Sequence, residues 1–358
     1  MGKKILVLCP SPFNTAPTQR LKYEQYFDQF NKAGYDMVIS SFQTQRFWKI
    51  VYKPGRTIEK VFWTGIGYLK RLFDLVRIPF FSGIYISLWV TPLGFPLFEW
   101  LTTALNNRVI YDMDDMLVLS SNAEKPRLID RIKGTKKPLT LIKRSKFVIV
   151  CTPKLENMAL AHNPNVVDIS STFNTGRFLP VEHYPKKECV VVGWTGTHST
   201  LQYLDLLEDV LKKVAKKRVI KLLIISNKAH HIEGVETEWL PWNSETEVND
   251  LHKMDIGIYP VKQDKWSLGK SGLKALTYMS VGLPAIATAW GATYRIIDHE
   301  KNGFLVNTEK EWIDALLKLI DSEKLREKIG KAGRAKVVEQ FSVVANLSKY
   351  LRAFEETY

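Results

Sequence analysis

Cys189-Val-Val-Val-Gly-Trp194 reads as a buried strand that runs straight into a glycine- and hydroxyl-rich turn, Thr195-Gly-Thr-His-Ser-Thr200. An unbroken run of β-branched residues fits a strand covered on both faces, as in a parallel sheet. Downstream the pattern alternates. The spacing predicts a helix over about Thr200 to Lys216, a strand at Ile220–Ser226, a short strand at Val235–Leu240 and a helix from about Glu245 to Met254. A strand at Asp255–Tyr259, a loop, a helix around Gly272–Ser280 and a strand at Ala285–Ala289 follow, and the tail Glu309 to Glu355 is mostly helical. Alternation of this kind implies parallel strands joined by crossover helices.

The first half carries the same pattern. Lys4-Ile-Leu-Val-Leu-Cys9 is a strand, and Leu21, Tyr23, Tyr26, Phe27 and Phe30 recur at helical spacing within Gln19–Lys32. Gly34 stops that helix before a strand at Tyr35–Ser40, and further strands are predicted at Tyr85–Val90, Arg108–Asp112 and Phe147–Cys151. The fold class is therefore α/β, with two Rossmann-like doubly wound domains facing across a cleft. A chain of 358 residues is long enough for two such cores. The expected division is 1–178, 179–340 and a C-terminal helix at 341–358 packing back on the first domain, with the boundary in the loop Ser171–Glu182 around Pro180.

Composition narrows the classes. Hydrophobic residues at 45% and charged residues at 25% describe a globular chain rather than a disordered one. Only Cys9, Cys151 and Cys189 are present, far apart and odd in number, which excludes a disulfide framework and points to a reducing compartment. The N-terminus has no signal-peptide architecture. The longest uncharged stretch, Ile78 to Phe98, contains Pro79, Pro92 and Pro96, so it reads as a strand and a proline-rich loop instead of a transmembrane helix. The net charge of +14 is concentrated: residues 46–80 carry eight Lys/Arg against two acids, and residues 125–146 carry nine against one. Such a field favours an anionic partner. In 46–80 the bases interleave with Phe47, Trp48, Tyr52, Phe62, Trp63, Tyr68, Phe73 and Phe80, which suits an anionic membrane surface better than nucleic acid.

Four motifs fall at strand ends, where open α/β sheets bind ligands. The first is Trp266-Ser-Leu-Gly-Lys-Ser-Gly-Leu-Lys-Ala-Leu-Thr-Tyr-Met-Ser-Val-Gly-Leu-Pro284. Backbone N–H groups at a helix start there, with Ser271, Gly272 and Leu273, form an anion site. Gly269 and Gly272 let a phosphate approach the backbone, while Lys270 and Lys274, four apart on one face, neutralise a diphosphate. The second is the turn bearing Gly196, Thr197 and His198; Ser226 and Trp242 complete the donor-side candidates. The third is Val109-Ile-Tyr-Asp-Met-Asp-Asp-Met116, whose Asp112, Asp114 and Asp115 can bind a metal, position an acceptor hydroxyl or act as a base. The fourth is the loop Pro10 to Arg20, with Asn14 and Arg20 as acceptor-side candidates.

The first motif resembles the signature loop of the GT-B retaining glycosyltransferases, the family 4 group in particular. Gly272, Leu273, Leu276, Met279, Gly282 and Pro284 match that loop in register, and Gly291, Ile296-Ile297 and Asn302-Gly-Phe-Leu-Val306 extend the match. The resemblance covers most of residues 190–345 and is weak in the first half. It departs at Gly269 and Thr277, which stand where the family has two glutamates, one toward the donor sugar and one toward the ribose. Thr277 retains a hydroxyl for a ribose. The resemblance implies a nucleoside-diphosphate sugar donor (UDP or GDP), retention of configuration, no essential cofactor or metal, and acceptor positioning by Asp112, Asp114 or Asp115. It further implies a lipid-linked or oligosaccharide acceptor in cell-surface polysaccharide synthesis. With the charge pattern, it points to a peripheral location at the cytoplasmic face of a bacterial plasma membrane. The alternative is a nucleotide-sugar-binding protein without catalysis, suggested by the missing glutamates.

Overall fold

The computed structural model describes residues 2–114, 134, 136–180 and 189–358. Asp115, most of the basic segment 125–146 before residue 136, and Glu182 lie outside the described residues. The chain divides into two compact units, one comprising Met1–Thr172, Gly269–Ser271 and Asn346–Tyr358, the other Phe173–Leu268 and Gly272–Ala345.

The first unit is built on six parallel strands: β1 (Lys3–Cys9), β2 (Tyr35–Ser41), β3 (Gly83–Ser87), β4 (Val109–Met113), β5 (Phe147–Val150) and β6 (Val166–Asp168). Their spatial order is β2-β1-β3-β4-β5-β6, so the chain reverses direction across the sheet between β1 and β3. Register is set by pairs such as Lys3 with Tyr35, Ile5 with Gly83 and Ile110 with Phe147. Ile5 to Cys9, Ile84 to Ile86 and Val148 to Val150 are fully buried, as strands covered on both faces require. The helices of this unit are α1 (Pro17–Arg20), α2 (Phe27–Lys32), α3 (Gln45–Val51), α4 (Thr57–Arg77), α5 (Leu97–Leu105), α6 (Lys137–Arg144) and α7 (Pro153–Leu160).

The single helix expected over Gln19–Lys32 is instead α1, a 3-10 turn at Glu24–Tyr26, and α2. Gln19 and Glu24 hydrogen-bond to the preceding loop: Gln19 pairs with both backbone groups of Ser11 at 2.9 and 3.0 Å, and Glu24 accepts from the Asn14 N–H at 2.9 Å. The C-terminal helix (Val343–Thr357) closes one side of the sheet. Its Tyr350 and Phe354 rings sit 4.7 Å from Tyr26 and 4.5 Å from Phe30, and the Tyr358 hydroxyl donates to the Ile84 carbonyl at 2.8 Å. Gly83 has no side chain because a Cβ there would overlap the Tyr358 ring.

The second unit repeats the architecture with β7 (Val190–Gly196), β8 (Ile220–Ser226), β9 (Thr237–Pro241), β10 (Ile256–Tyr259), β11 (Ala285–Thr288) and β12 (Phe304–Val306). The order is β12-β11-β10-β7-β8-β9, all parallel, with the reversal between β7 and β10. Its helices are α8 (Glu208–Ala215), α9 (Glu247–Leu251), α10 (Leu273–Ser280), α11 (Thr293–Ile296), α12 (Glu309–Ile320) and α13 (Glu323–Gln340). Thr308 and Glu311 form a reciprocal capping box at the start of α12. The helix expected from Thr200 is regular only over α8; residues His198–Tyr203 and Asp205–Leu207 are 3-10 turns. Both sheets are Rossmann-like, as the alternation of elements predicts.

A buried ion pair lies at the end of β4 in the first unit. Lys22 and Asp112 form an ion pair with both side chains 1% exposed, and the Tyr85 hydroxyl donates to the second oxygen of the same carboxylate. Burial alone would push the Lys22 ammonium down, but the carboxylates of Asp112 and Asp114 outweigh it and hold the lysine above its ordinary value. Because the folded-state value is raised, the stabilisation is complete below the ordinary lysine pKa of about 10.4 and is lost as pH rises through the folded value. Lys22→Met strands the Asp112 carboxylate among apolar groups. It is expected to lower unfolding free energy by about 3–5 kcal/mol in denaturant titrations at neutral pH.

Candidate active site

The reversal between β7 and β10 puts the carboxyl ends of those two strands side by side, where the loops leave in opposite directions and leave room for a ligand. β7 ends at Gly196 and β10 at Tyr259. Lys274, in the first turn of α10, reaches over both: its ammonium lies 5.5 Å from the Trp194 ring centroid and 5.4 Å from that of Tyr259. Two ring faces hold the cation in place. A Cβ on Gly196 would come within 2.7 Å of Lys274 Cε and 2.5 Å of Trp194 Cη2, so glycine is required for the turn and the lysine to meet.

α10 starts one residue later than the glycine-based prediction. Gly272 is its N-cap at φ +76°, the left-handed conformation that glycine adopts without strain, and a Cβ there would also overlap Ile296. The first N–H groups of α10 therefore follow a residue without a side chain. Tyr278, further along the helix, donates to the Ile258 carbonyl at 3.1 Å and accepts from the Thr195 N–H at 3.0 Å, which pins the ends of β10 and β7 together. The Thr277 hydroxyl donates to the Leu273 carbonyl at 2.8 Å. Its hydrogen is thus committed to the helix, and the oxygen can serve a ligand only as an acceptor.

The turn after β7 is held from the neighbouring strand. The His198 N–H donates to Asn227 Oδ1 at 2.7 Å, and the Asn227 amide nitrogen is 3.3 Å from His198 Nδ1. Thr197 occupies the N-cap of the following 3-10 turn but makes no side-chain cap bond; its hydroxyl is 2.8 Å from that of Ser199. Ser226 is buried at the end of β8, where its hydroxyl oxygen accepts from Trp239 Nε1 at 3.1 Å and its carbonyl accepts from the Trp242 N–H at 3.1 Å. Gly196, Lys274, Gly272, Leu273 and Thr277 thus surround one strand-end region, with Thr197, His198, Ser226 and Trp242 on its β8 side.

The remaining candidates belong to the first unit. Gly269, Lys270 and Ser271 group with it: Cys151 Sγ lies 3.8 Å from the Gly269 carbonyl and 3.2 Å from the Asp114 carbonyl, and the Ser171 and Ser271 hydroxyls are 3.3 Å apart. Asp114, just past β4, is partly buried, and Lys270 is partly buried as well. Asp112 is committed to Lys22 and Tyr85. Asn14 is exposed in the loop after β1 with φ +61°, and Arg20 is buried at the end of α1. Among the described residues, no group of three or more His, Cys, Asp or Glu side chains is arranged to hold a metal ion.

Sequence reading did not single out Trp194, Tyr259, Asn227 or Tyr278 for the donor side, nor Lys22 and Tyr85 for the acidic strand end. Each acts through a contact between distant segments. The nearest signal was an aromatic residue near the carboxyl end of each of β7 and β10.

Residues 187–322 match the family model described as glycosyl transferases group 1. No curated protein matches the chain by sequence. Among solved structures, Anabaena HepE in complex with UDP and glucose aligns at 12% identity over 99% of this chain and 100% of its own, with a TM-score of 0.69. Sucrose-phosphate synthase from Thermosynechococcus elongatus aligns at 15% identity over 99% of both chains, also at 0.69. TarM aligns at 18% identity over 76% of this chain with a TM-score of 0.56, and the chain spans 54% of its length. At these identities the structural likenesses show the fold. The family match marks residues 187–322 as similar to the glycosyl transferases group 1 family, and the structural likenesses show that the chain has the two-domain GT-B fold.

Proposed function

We propose that the chain transfers a sugar from a UDP-sugar to a lipid-linked or oligosaccharide acceptor in the assembly of a cell-surface polysaccharide, with retention of the anomeric configuration and without a metal. The observation that carries the donor assignment is the Lys274 ammonium held over Trp194 and Tyr259 at the strand reversal, beside the Gly196 turn and the start of α10. A diphosphate in that region meets a fixed cation and backbone N–H groups together. UDP is favoured over GDP because HepE, which shares the fold, is a complex with UDP and UDP-glucose.

As the glycosidic bond to the donor breaks, negative charge grows on the leaving diphosphate. Lys274, the α10 N-terminus and Lys270 stabilise it, which lowers the barrier more than it tightens ground-state binding. The leaving phosphate oxygen takes the acceptor's proton on the same face, so no protein nucleophile is required. With Asp112 engaged by Lys22, acceptor positioning falls to Asp114 and Asp115, with Asn14 and Arg20 in the loop after β1. Thr277 accepts from a ribose hydroxyl. Gly269 supplies no carboxylate toward the sugar, so hydrogen bonds to that sugar come from other groups.

Incubation with UDP- and GDP-sugars in chelator, with nucleoside diphosphate release followed over time, tests this reading. Release from a UDP-sugar that rises with an oligosaccharide or lipid-linked acceptor is expected. Binding without release for every donor and acceptor would favour the non-catalytic alternative. Lys274→Ala is expected to weaken UDP binding at least about tenfold, roughly 1.4 kcal/mol, by calorimetry. Lys274→Ala should leave the melting temperature little changed, whereas Gly196→Ala should weaken binding by displacing the lysine and also lower the melting temperature, because its Cβ overlaps the buried Trp194 ring. Lys270→Ala is expected to lower turnover about a hundredfold; a folded Lys270→Ala variant with normal turnover would remove Lys270 from the mechanism.

A further inference from the structure

α4 is apolar on the side that faces solvent. At a helical repeat of 3.6, Ile58, Val61, Phe62, Gly65, Leu69, Leu72, Phe73 and Val76 fall within about 60° of one line along its surface, and Phe80 continues the line in the following turn. Each of these large side chains is more than half exposed, Ile58 at 87% and Phe80 at 83%. The opposite face holds the polar groups. Buried Arg71 donates to the carbonyls of Cys9, Ser40 and Val90 at 2.8 to 3.0 Å and pairs with Asp74 at 2.8 Å, clamping α4 to the ends of β1 and β2 and to the loop after β3. Gly67 packs against the Phe42 ring. Arg71, Asp74 and Gly67 anchor the core side of the helix, so the apolar stripe has no part in holding it down.

The loop after β3 extends the same surface. Tyr68, on one flank of α4, bonds the Leu93 carbonyl at 2.8 Å and stacks edge-on against Phe98 at 5.7 Å. Beside that contact Leu93, Phe95, Leu97 and Trp100 are exposed, Phe95 at 73%. The combined patch runs the length of a 21-residue helix, about 31 Å. Patches of this extent mark an interaction surface.

We infer that α4 lies flat in the interface of an anionic lipid bilayer, with its stripe and the Leu93–Leu97 loop among the acyl chains. Charge selects this occupant. Residues 46–80 hold eight Lys/Arg and only Glu59 and Asp74 as acids. Asp74 is buried against Arg71, and Glu59 is 3.3 Å from Arg56. No acid lies on the stripe, and the Arg77 guanidinium sits over the Phe73 ring at 5.4 Å, a cation at the rim of the apolar surface. Anionic headgroups complement that rim while acyl chains take the stripe. A second copy would instead bring the same basic segment against itself, since a two-fold contact is self-complementary. Among the described residues no helix is long and apolar enough to cross a membrane, so the surface is suited to lying on a bilayer.

Flotation of the full chain with vesicles of phosphatidylcholine alone, and of phosphatidylcholine mixed with phosphatidylglycerol, tests the inference. Binding to the mixed vesicles is expected, weakening at high salt as headgroup attraction is screened. The double substitution Leu69→Glu/Phe73→Glu should cut the bound fraction at least about tenfold, with an unchanged melting temperature because both side chains project into solvent. Absence of binding to the mixed vesicles, or equal binding by the double variant, would overturn the inference. So would a lipid-free dimer in light scattering that the same substitutions dissociate, which would assign the stripe to a second copy.

Discussion

A parallel strand can be followed by another only if the chain returns to the same end of the sheet, and everything functional here depends on that constraint. Most returns pass through a crossover helix, the link from β8 to β9 being an exception, and the place in each sheet where successive crossovers go opposite ways is left open at the strand ends. In the second unit that place lies between β7 and β10, and the chain puts there a lysine held by two aromatic rings, a glycine that makes room for it and a helix beginning at another glycine. None of these groups is chemically unusual. Their convergence is, and the order of the strands produces it.

The first unit uses charge differently. It buries Lys22 with Asp112 and Arg71 with Asp74, and leaves a continuous apolar stripe in solvent on α4. Buried pairs cost desolvation, and their retention is better explained by the positions they fix than by net stability. Lys22 and Tyr85 fix the carboxylate at the end of β4; Arg71 ties three segments of the sheet edge to one helix. The exposed stripe is then free of any structural duty toward the core.

Both sheets were legible in the sequence because buried parallel strands are unbroken apolar runs, as in Ile5 to Cys9 and Leu222 to Ile225, and glycines punctuate them. Local regularity was less legible. Gln19 and Glu24 look like ordinary helix residues, yet their side chains bond to the loop before them, and the helix breaks into three pieces. Amphipathic character in residues 46–80 was readable, but which face α4 turns outward was not, because hydrophobic periodicity ordinarily marks the buried side. Lys274 and Gly196 could be named from spacing and motif, whereas their meeting over Trp194 and Tyr259 depends on strand order and register. For Asp112, sequence alone could not distinguish a solvated strand end from a buried ion pair, since Lys22 is ninety residues away.

The most direct test of the central claim, that the donor diphosphate binds at the β7–β10 reversal, is amide hydrogen exchange with and without a saturating UDP-sugar. The account predicts slowed exchange in residues 195–200 and 272–277, with α13 unchanged. Unaltered exchange in both segments with every nucleoside diphosphate and its sugar conjugates would contradict it.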